Sequence, residues 1–203
     1  DTRSGTSTMQ IGSTNTSTIN IGVSGDTVNI PAGVTIANAG TATGFAGLSN
    51  ADYWSKTTDQ SVSGATNTLL TGWSQQTARG GAGGELGNSL TESSGIFSFP
   101  TTGIWYVSSW FRTLRNGSTR YMNLFLEVTL DNSTYNPLSL GSGQMNYSSS
   151  DGISQVDASA LIDCTDTSNV KFKFTFTPEN TTTIEGDGSY TQSGFVAMKL
   201  GDT

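Results

Sequence analysis

The stretch from Ile104 to Phe111 constrains the fold more than any other part of the chain, because large apolar side chains lie on both faces of one predicted strand. Side chains alternate with period two along a β-strand. The apolar positions of the two faces are Ile104, Tyr106 and Trp110 on one face and Trp105, Val107 and Phe111 on the other. An antiparallel strand with one solvated face carries polar residues at every second position. Both faces therefore need cover, from a second sheet or from another copy of the chain.

A proline and a glycine precede this strand and predict a turn. Pro100 fixes its own φ, and Gly103 can adopt the positive φ that tight turns require. We expect the chain to reverse between Phe99 and Ile104, so that a short strand leads through the turn into the long one.

Composition favours an all-β chain and excludes several classes of partner. The 203 residues include 25 Gly and no His, the charged fraction is 12%, and the formal net charge is -7. No segment predicts a helix. The acidic balance argues against a nucleic-acid partner, which needs clustered Lys and Arg. No apolar run is long enough to span a bilayer, so we expect no membrane insertion.

An imperfect repeat runs through residues 8–36. Each unit is a short predicted strand with two apolar side chains on one face, closed by Gly or Pro. The expected core residues of this stem are Met9, Ile11, Ile19, Ile21, Val28, Ile30, Val34 and Ile36. Two apolar side chains do not offset the ordering of ten residues at about 1 kcal/mol or more each. Three copies wound about one axis would pool them; a disordered Ser/Thr-rich tail and a short single-chain solenoid are the alternatives.

The head is predicted to begin where core residues appear. Residues 37–50 are rich in Ala and Gly and are interpreted as a junction between stem and head. Residues 51–203 contain about eight short predicted strands with regular turn signals. One of them, Val170 to Thr177, places three phenylalanines on one face and Lys and Thr on the other. The predicted fold is all-β, with an N-terminal trimeric β-stem in residues 1–36 (a triple-stranded β-helix or prism) followed by a jelly-roll sandwich in residues 51–203.

Two motifs carry a resemblance to a known family. The segment from Phe99 to Val107, Phe-Pro-Thr-Thr-Gly-Ile-Trp-Tyr-Val, resembles the central strand of C1q and tumour-necrosis-factor-like heads. The segment from Tyr190 to Met198 is similar to the closing Ser-Gly-Phe strand of C1q heads. The resemblance spans residues 51–203 and implies a homotrimer whose aromatic residues pack around the threefold axis. On that basis Trp105, Val107 and Phe111 are expected to form the trimer core of the head.

The repeat of residues 8–36 resembles the Thr-x-Ile-Gly repeats of bacteriophage tail and head fibres. A β-stem that bears a C1q-like knob implies a viral attachment fibre or spike at the virion surface. Other virion proteins would then bind through the N-terminal side. Collagen-type Gly-X-Y repeats are missing from the sequence, which argues against the immune role of animal C1q proteins.

Catalysis, metals and cofactors have little support in the sequence. A chain without His lacks the usual general base and the commonest zinc ligand. Asp163, Asp166 and Asn169 have spacings that would suit calcium, but β-turns use the same residue types. The single cysteine, Cys164, alternates with apolar residues and is predicted to be a buried structural thiol. We therefore expect no enzyme, no cofactor and no metal.

The leading function is attachment to a host cell-surface receptor, a glycan or a protein. Aromatic rings with amide and hydroxyl neighbours stack on sugars, and arginines meet acidic groups. The candidate binding residues are Arg115, Arg120, Tyr135, Asn136, Asn146 and Tyr147. Two alternatives stay open: a particle-decorating structural protein that binds no receptor, and a bacterial surface or secreted C1q-like adhesion module.

Overall fold

The computed structural model describes Thr27 and residues 48–76, 84–146 and 150–203. All of these except Thr27 lie in one compact unit, Ala46–Thr203. The predicted stem core from Met9 to Ile36 lies outside the described residues, and the predicted domain boundaries stay predictions. In the described ranges no helix is long and apolar enough to cross a membrane.

The described part of the head is built from strands, and there are thirteen of them rather than the eight predicted. In chain order they are β1 (Ala51–Lys56), β2 (Gln60–Val62), β3 (Thr68–Leu69), β4 (Trp73–Gln75), β5 (Thr91–Ser93), β6 (Ile96–Ser98), β7 (Gly103–Asn116), β8 (Thr119–Thr129), β9 (Tyr135–Met145), β10 (Asp151–Cys164), β11 (Lys171–Pro178), β12 (Thr182–Ile184) and β13 (Gly194–Gly201). All the pairings between them are antiparallel. Several are two or three residues long, too short to give a periodic signal in the sequence.

Sheet A is organised around β7, the long strand that the sequence singles out. One edge of β7 pairs with β10 along its whole length, from Gly103↔Cys164 to Asn116↔Asp151. The other edge pairs with β13 and, further along, with β12. Strands β1 and β4 extend the sheet beyond β13, and β2 extends it beyond β12.

Sheet B faces sheet A and has the order β5-β6-β11-β8-β9, with β3 paired to β11. Its edge strand β9 lies in a part of the chain that is rich in polar residues. Strand β9 pairs with β8 from Thr129↔Tyr135 to Thr119↔Met145. The strand forms through backbone hydrogen bonds to β8. Its Ser, Gly and Asn residues are therefore not recognisable as a strand in the sequence.

The segment from Pro100 to Gly103 is a crossing between the two sheets. The predicted reversal into a hairpin is wrong, since β6 pairs in sheet B and β7 pairs in sheet A. The predicted positive φ of Gly103 is confirmed at 138°, and a Cβ there would come within 2.5 Å of the Gly201 carbonyl oxygen. The hairpin turn lies earlier, at Ser94 and Gly95, which both have positive φ.

The core between the sheets is largely aromatic. The predicted alternation of β11 is confirmed, because Phe172, Phe174 and Phe176 are fully buried. Rings from both sheets contact one another in a continuous cluster formed by Trp54, Trp73, Phe97, Phe99, Trp105, Phe111, Phe172, Phe174 and Phe195. Truncating one such ring to alanine costs about 3–5 kcal/mol.

This core corrects the placement of three residues. Trp105, Val107 and Phe111 were expected at a threefold axis, yet each is 0% exposed in the single chain. They point into the space between sheets A and B, where sheet B covers them. The opposite face of β7 is the one that a single chain leaves partly open.

The sandwich has two distinct ends. At the entry end lie residues 48–50, the start of β7 and the end of β13, and the Lys199 backbone N–H donates to the Asn50 carbonyl oxygen at 2.9 Å. At the distal end lie the β7–β8 turn, the end of β9 and the β11–β12 connection, where the Asn180 side-chain amide donates to the Ser118 carbonyl oxygen at 3.2 Å. Residues 48–50 therefore lie at one end of the head, and a separate loop cluster lies at the other.

Strands β9 and β10 approach each other closely where the two sheets meet. A Cβ added at Gly141 would overlap the carbonyl oxygen of Asp157. A Cβ at Gly143 would lie 2.7 Å from a methyl carbon of Val156. Glycine at these positions lets the two backbones come together along this edge.

Replacing Gly141 with alanine is expected to destabilise the head by about 1–3 kcal/mol or more, because the added methyl group must push β9 away from β10. Urea unfolding followed by tryptophan fluorescence measures the change. Gly188→Ala is the matched control, since a Cβ there meets nothing within 4 Å. Equal stability of the two variants would contradict the close approach.

A lysine is buried beside the core. Lys56 is 0% exposed, and its ammonium group donates to the Gln60 side-chain oxygen at 3.0 Å and to the Thr71 carbonyl oxygen. The Nζ atom also lies 5.5 Å from the centre of the Trp73 ring. Burial lowers the pKa of Lys56 from 10.5 to about 8, and the nearby Asp59 carboxylate opposes part of that decrease.

Lys56 predicts a rise in stability with pH. The pKa of Lys56 is about 8 in the folded chain and 10.5 in the unfolded chain. Between these pH values the unfolded chain therefore binds a proton at Lys56 that the folded chain does not bind. Each pKa unit is worth about 1.4 kcal/mol, so the free energy of unfolding should gain up to about 3 kcal/mol across this window. Urea titrations of the wild type and Lys56→Met at several pH values measure it. The variant should lose this contribution, whereas Lys171→Met, on the outer face of sheet B, should keep it.

Candidate functional site

The outer face of sheet A carries a cluster of large apolar side chains that the single chain covers only in part. Five half-buried residues form it, and we call them the aromatic face: Tyr53, Tyr106, Trp110, Val196 and Met198. They lie together because β1, β13 and β7 are neighbours, with Tyr53↔Val196 and Met198↔Tyr106 in register. The rings of Tyr53 and Trp110 are 5.9 Å apart between centroids.

Small and charged residues bound the aromatic face. Ser108 and Gly194 lie on the same side of the sheet, in register with Val196 and Trp110. Toward the distal end, Arg112 forms an ion pair with Glu185 at 2.9 Å. The face is therefore an apolar surface closed by a charged border on one side.

A groove continues from the aromatic face around the edge of β10. It has a volume of about 270 Å³, and we call it the leucine groove, lined by Val128, Leu130, Asn136, Pro137, Leu138, Leu161, Ile162 and Asp163. Leu130, Leu138 and Leu161 are 72%, 51% and 60% exposed. Leu161 is in register with Tyr106, so the groove adjoins the aromatic face. Apolar surfaces of this kind mark interfaces.

A third feature lies toward the distal end, on β8 and β9. This shallow groove of about 290 Å³, the distal groove, is lined by Arg120, Tyr121, Asn123, Ser142, Gly143 and Gln144. The ring of Tyr121 is 36% exposed. The Ser142 hydroxyl donates to the side-chain oxygen of Asn123 at 2.8 Å. The groove thus combines one aromatic ring with amide and hydroxyl groups.

Arg120 is held by an ion pair at the edge of the distal groove. Its guanidinium contacts the Glu179 carboxylate, and its backbone N–H donates to the same carboxylate at 2.6 Å. These contacts lower the pKa of Glu179, and the hydrogen bond from the Arg120 backbone N–H is the largest cause. The carboxylate therefore stays ionised beside the arginine. The charge of Arg120 is therefore compensated.

The candidate binding residues do not form one site. Tyr135 and Asn136 lie at the entry end, at the start of β9, whereas Arg115, Arg120 and Asn146 lie at the distal end. The guanidinium of Arg115 donates to the carbonyl oxygens of Ser118, at 3.2 Å, and Thr181, which holds the distal turns together. Tyr147 lies outside the described residues.

Tyr135 packs on the head. The Lys173 ammonium lies 4.1 Å from the centre of the Tyr135 ring, and it pairs with the Glu127 carboxylate at 3.3 Å. Thr175 donates its hydroxyl to the same carboxylate at 2.7 Å. Burial raises the pKa of the Tyr135 hydroxyl. The ring covers a buried ion pair, which is a structural role.

Several residues of these surfaces were not predicted from the sequence, because only the fold brings them together. Tyr53 and Met198 join the aromatic face only through the pairing of β1 with β13. Tyr121 and Asn123 alternate with the buried Met122 and Leu124, and this alternation is a signal that would have placed them on the outer face of a strand.

The described residues give little support to metal or thiol chemistry. In these ranges no three His, Cys, Asp or Glu side chains converge as metal ligands would. The Asp166 carboxylate accepts hydrogen bonds from the Ser168 backbone and the Asn169 side chain, as in a turn. The predicted burial of Cys164 is confirmed, and burial raises its thiol pKa to about 11.

The fold is that of tumour-necrosis-factor-type jelly rolls. The Eiger TNF of S. frugiperda matches with a TM-score of 0.55 and 14% identity, over 75% of this chain and 93% of that one. Murine APRIL matches with a TM-score of 0.53 and 12% identity, over 74% of this chain and 98% of that one. No protein-family model matches the sequence, and no curated protein is detectably similar to it. At these identities the likeness is one of fold.

Proposed function

We propose that this chain is a non-enzymatic attachment protein whose head assembles as a homotrimer and binds a receptor on a cell surface. The observation that carries the proposal is the aromatic face, five large side chains clustered on the outer side of sheet A and left half-buried by one chain. Contiguous apolar surface of this kind often marks a protein–protein interface. A further copy of the chain would remove it from water.

In the proposed assembly, the aromatic face of one copy packs against the leucine groove of the next. These are two different surfaces of one chain, so the contact is heterologous and closes into a ring when the rotation between copies allows it. The resemblance to C1q and TNF-like heads implies three copies. Leu161, in register with Tyr106, would lie where the two surfaces of each copy meet.

The proposed receptor contact lies at the distal end. Residues 48–50 and the end of β13 lie at the entry end, so the distal loops are the part of the head farthest from residues 48–50. Three copies would present three equal sites, and weak sites that act together gain strength through effective concentration. The fibre-like repeat of residues 8–36 favours a place on a virion surface, with other virion proteins bound through the N-terminal side.

Tyr106→Lys is expected to prevent assembly, because it places a charge in the middle of the aromatic face, where burial without a partner is costly. Multi-angle light scattering should give three times the monomer mass for the wild type and the monomer mass for the variant. Tyr121→Lys, the same change on the outer face of sheet B, is the matched control and should stay trimeric. A wild-type chain that is monomeric at micromolar concentration would end the proposal of assembly.

Attachment is tested by comparing trimer and monomer. Labelled wild-type protein should bind cells or a glycan array, and Tyr106→Lys should bind at least tenfold more weakly, because it loses multivalency. A stable trimer that binds no surface would instead favour the alternative of a particle-decorating structural protein.

A further inference from the structure

The distal groove lies on a surface that the proposed assembly leaves open. Its residues on β8 and β9 belong to sheet B, and Asn123 and Ser142 are paired on the outer side of that sheet. The aromatic face lies on the outer side of sheet A, across the core. The leucine groove also uses β8 and β9, but at their entry end, where Val128 pairs with Asn136. A ligand in the distal groove would therefore lie apart from both surfaces of the contact between copies.

We propose that the distal groove binds an uncharged sugar residue, with the ring of Tyr121 as its stacking platform. This inference rests on the proposed attachment function and names the ligand class of one site. An exposed aromatic ring offers an apolar surface to the C–H face of a pyranose. The neighbouring amides of Asn123 and Gln144 and the hydroxyl of Ser142 supply donors and acceptors for the sugar hydroxyls.

The polar groups of the groove can form further hydrogen bonds. Asn123 accepts one hydrogen bond from Ser142. Among the described residues, the amide nitrogen of Asn123, the side-chain amide of Gln144 and the hydroxyl of Tyr121 have no hydrogen-bond partner. A pyranose has an apolar face and a rim of hydroxyl groups. The groove matches this arrangement, because it places one aromatic ring beside two amide side chains and one hydroxyl group. The volume of about 290 Å³ is at the lower limit of small-molecule sites, which fits one or two sugar rings.

Charge balance selects a neutral sugar over an acidic one. Arg120 is the cationic residue of the groove, and its guanidinium and backbone N–H both contact the Glu179 carboxylate. An acidic sugar would have to displace that carboxylate or approach it, and like charges repel. The cation that lines the groove is therefore already paired with a carboxylate, which disfavours a uronate or a sialic acid.

The experiment is saturation-transfer NMR on the whole chain with six probes measured singly. Four are neutral: the methyl glycosides of glucose, galactose, mannose and N-acetylglucosamine. Two are acidic: glucuronate and N-acetylneuraminate. At least one neutral probe should receive saturation, and its affinity should fall about tenfold in Tyr121→Ala, equivalent to about 1.4 kcal/mol. Gln144→Ala should weaken it several-fold, and both variants should unfold at the wild-type temperature.

Tyr190→Ala is the matched control, since Tyr190 is 56% exposed on a loop outside the groove and its loss should leave binding unchanged. Saturation of the acidic probes alone, transfer to none of the neutral probes, or equal binding by Tyr121→Ala would each overturn the proposal. If the trimer still attached to cells in those cases, the attachment function would stand without this site. If the protein were monomeric and still bound the sugar, the assembly proposal would fail and the groove would stand.

Discussion

The structure depends on strand β7, which is fully buried on one face and partly buried on the other. Strand β7 pairs with β10 along one edge and with β13 and β12 along the other. It is therefore a central strand of sheet A. The inner face of β7 contributes Trp105, Val107 and Phe111 to the aromatic core, which sheet B covers. Its outer face keeps Tyr106 and Trp110 half-buried. One strand therefore supplies both the stability of the single chain and the apolar surface that drives the proposed assembly.

The head separates the surfaces that its proposed roles need. The aromatic face lies on sheet A, and the leucine groove lies between the β10 edge of that sheet and the entry end of β8 and β9. Burial of apolar area there favours contact between copies. The distal groove lies on the outer side of sheet B and is polar apart from Tyr121. Such a division lets assembly and recognition proceed without sharing residues. It also means that a substitution in the distal groove can remove recognition and leave assembly intact.

Prediction from sequence succeeded where a signal is local. The alternation of Phe172, Phe174 and Phe176 placed these residues in the core, and a glycine before β7 was expected to take a positive φ. Prediction failed where the outcome depends on distant pairing. Pro100 begins a crossing between sheets because β6 finds its partner in β11, far along the chain. Strand β9 exists because β8 offers it hydrogen bonds, although its own residues carry little β propensity.

Taken alone, the sequence determined that the chain is rich in strands, that β7 needs cover on both faces, and that Cys164 alternates with core residues. These properties follow from side-chain periodicity, which each segment carries in itself. Tertiary structure decided which face of β7 points inward and which residues share a site. Both faces are apolar, so periodicity cannot rank them, and the choice is made by the packing of sheet B against one side. Likewise, Tyr53 meets Trp110 because cross-strand pairing brings residues 57 positions apart into one surface, a contact that no local pattern encodes.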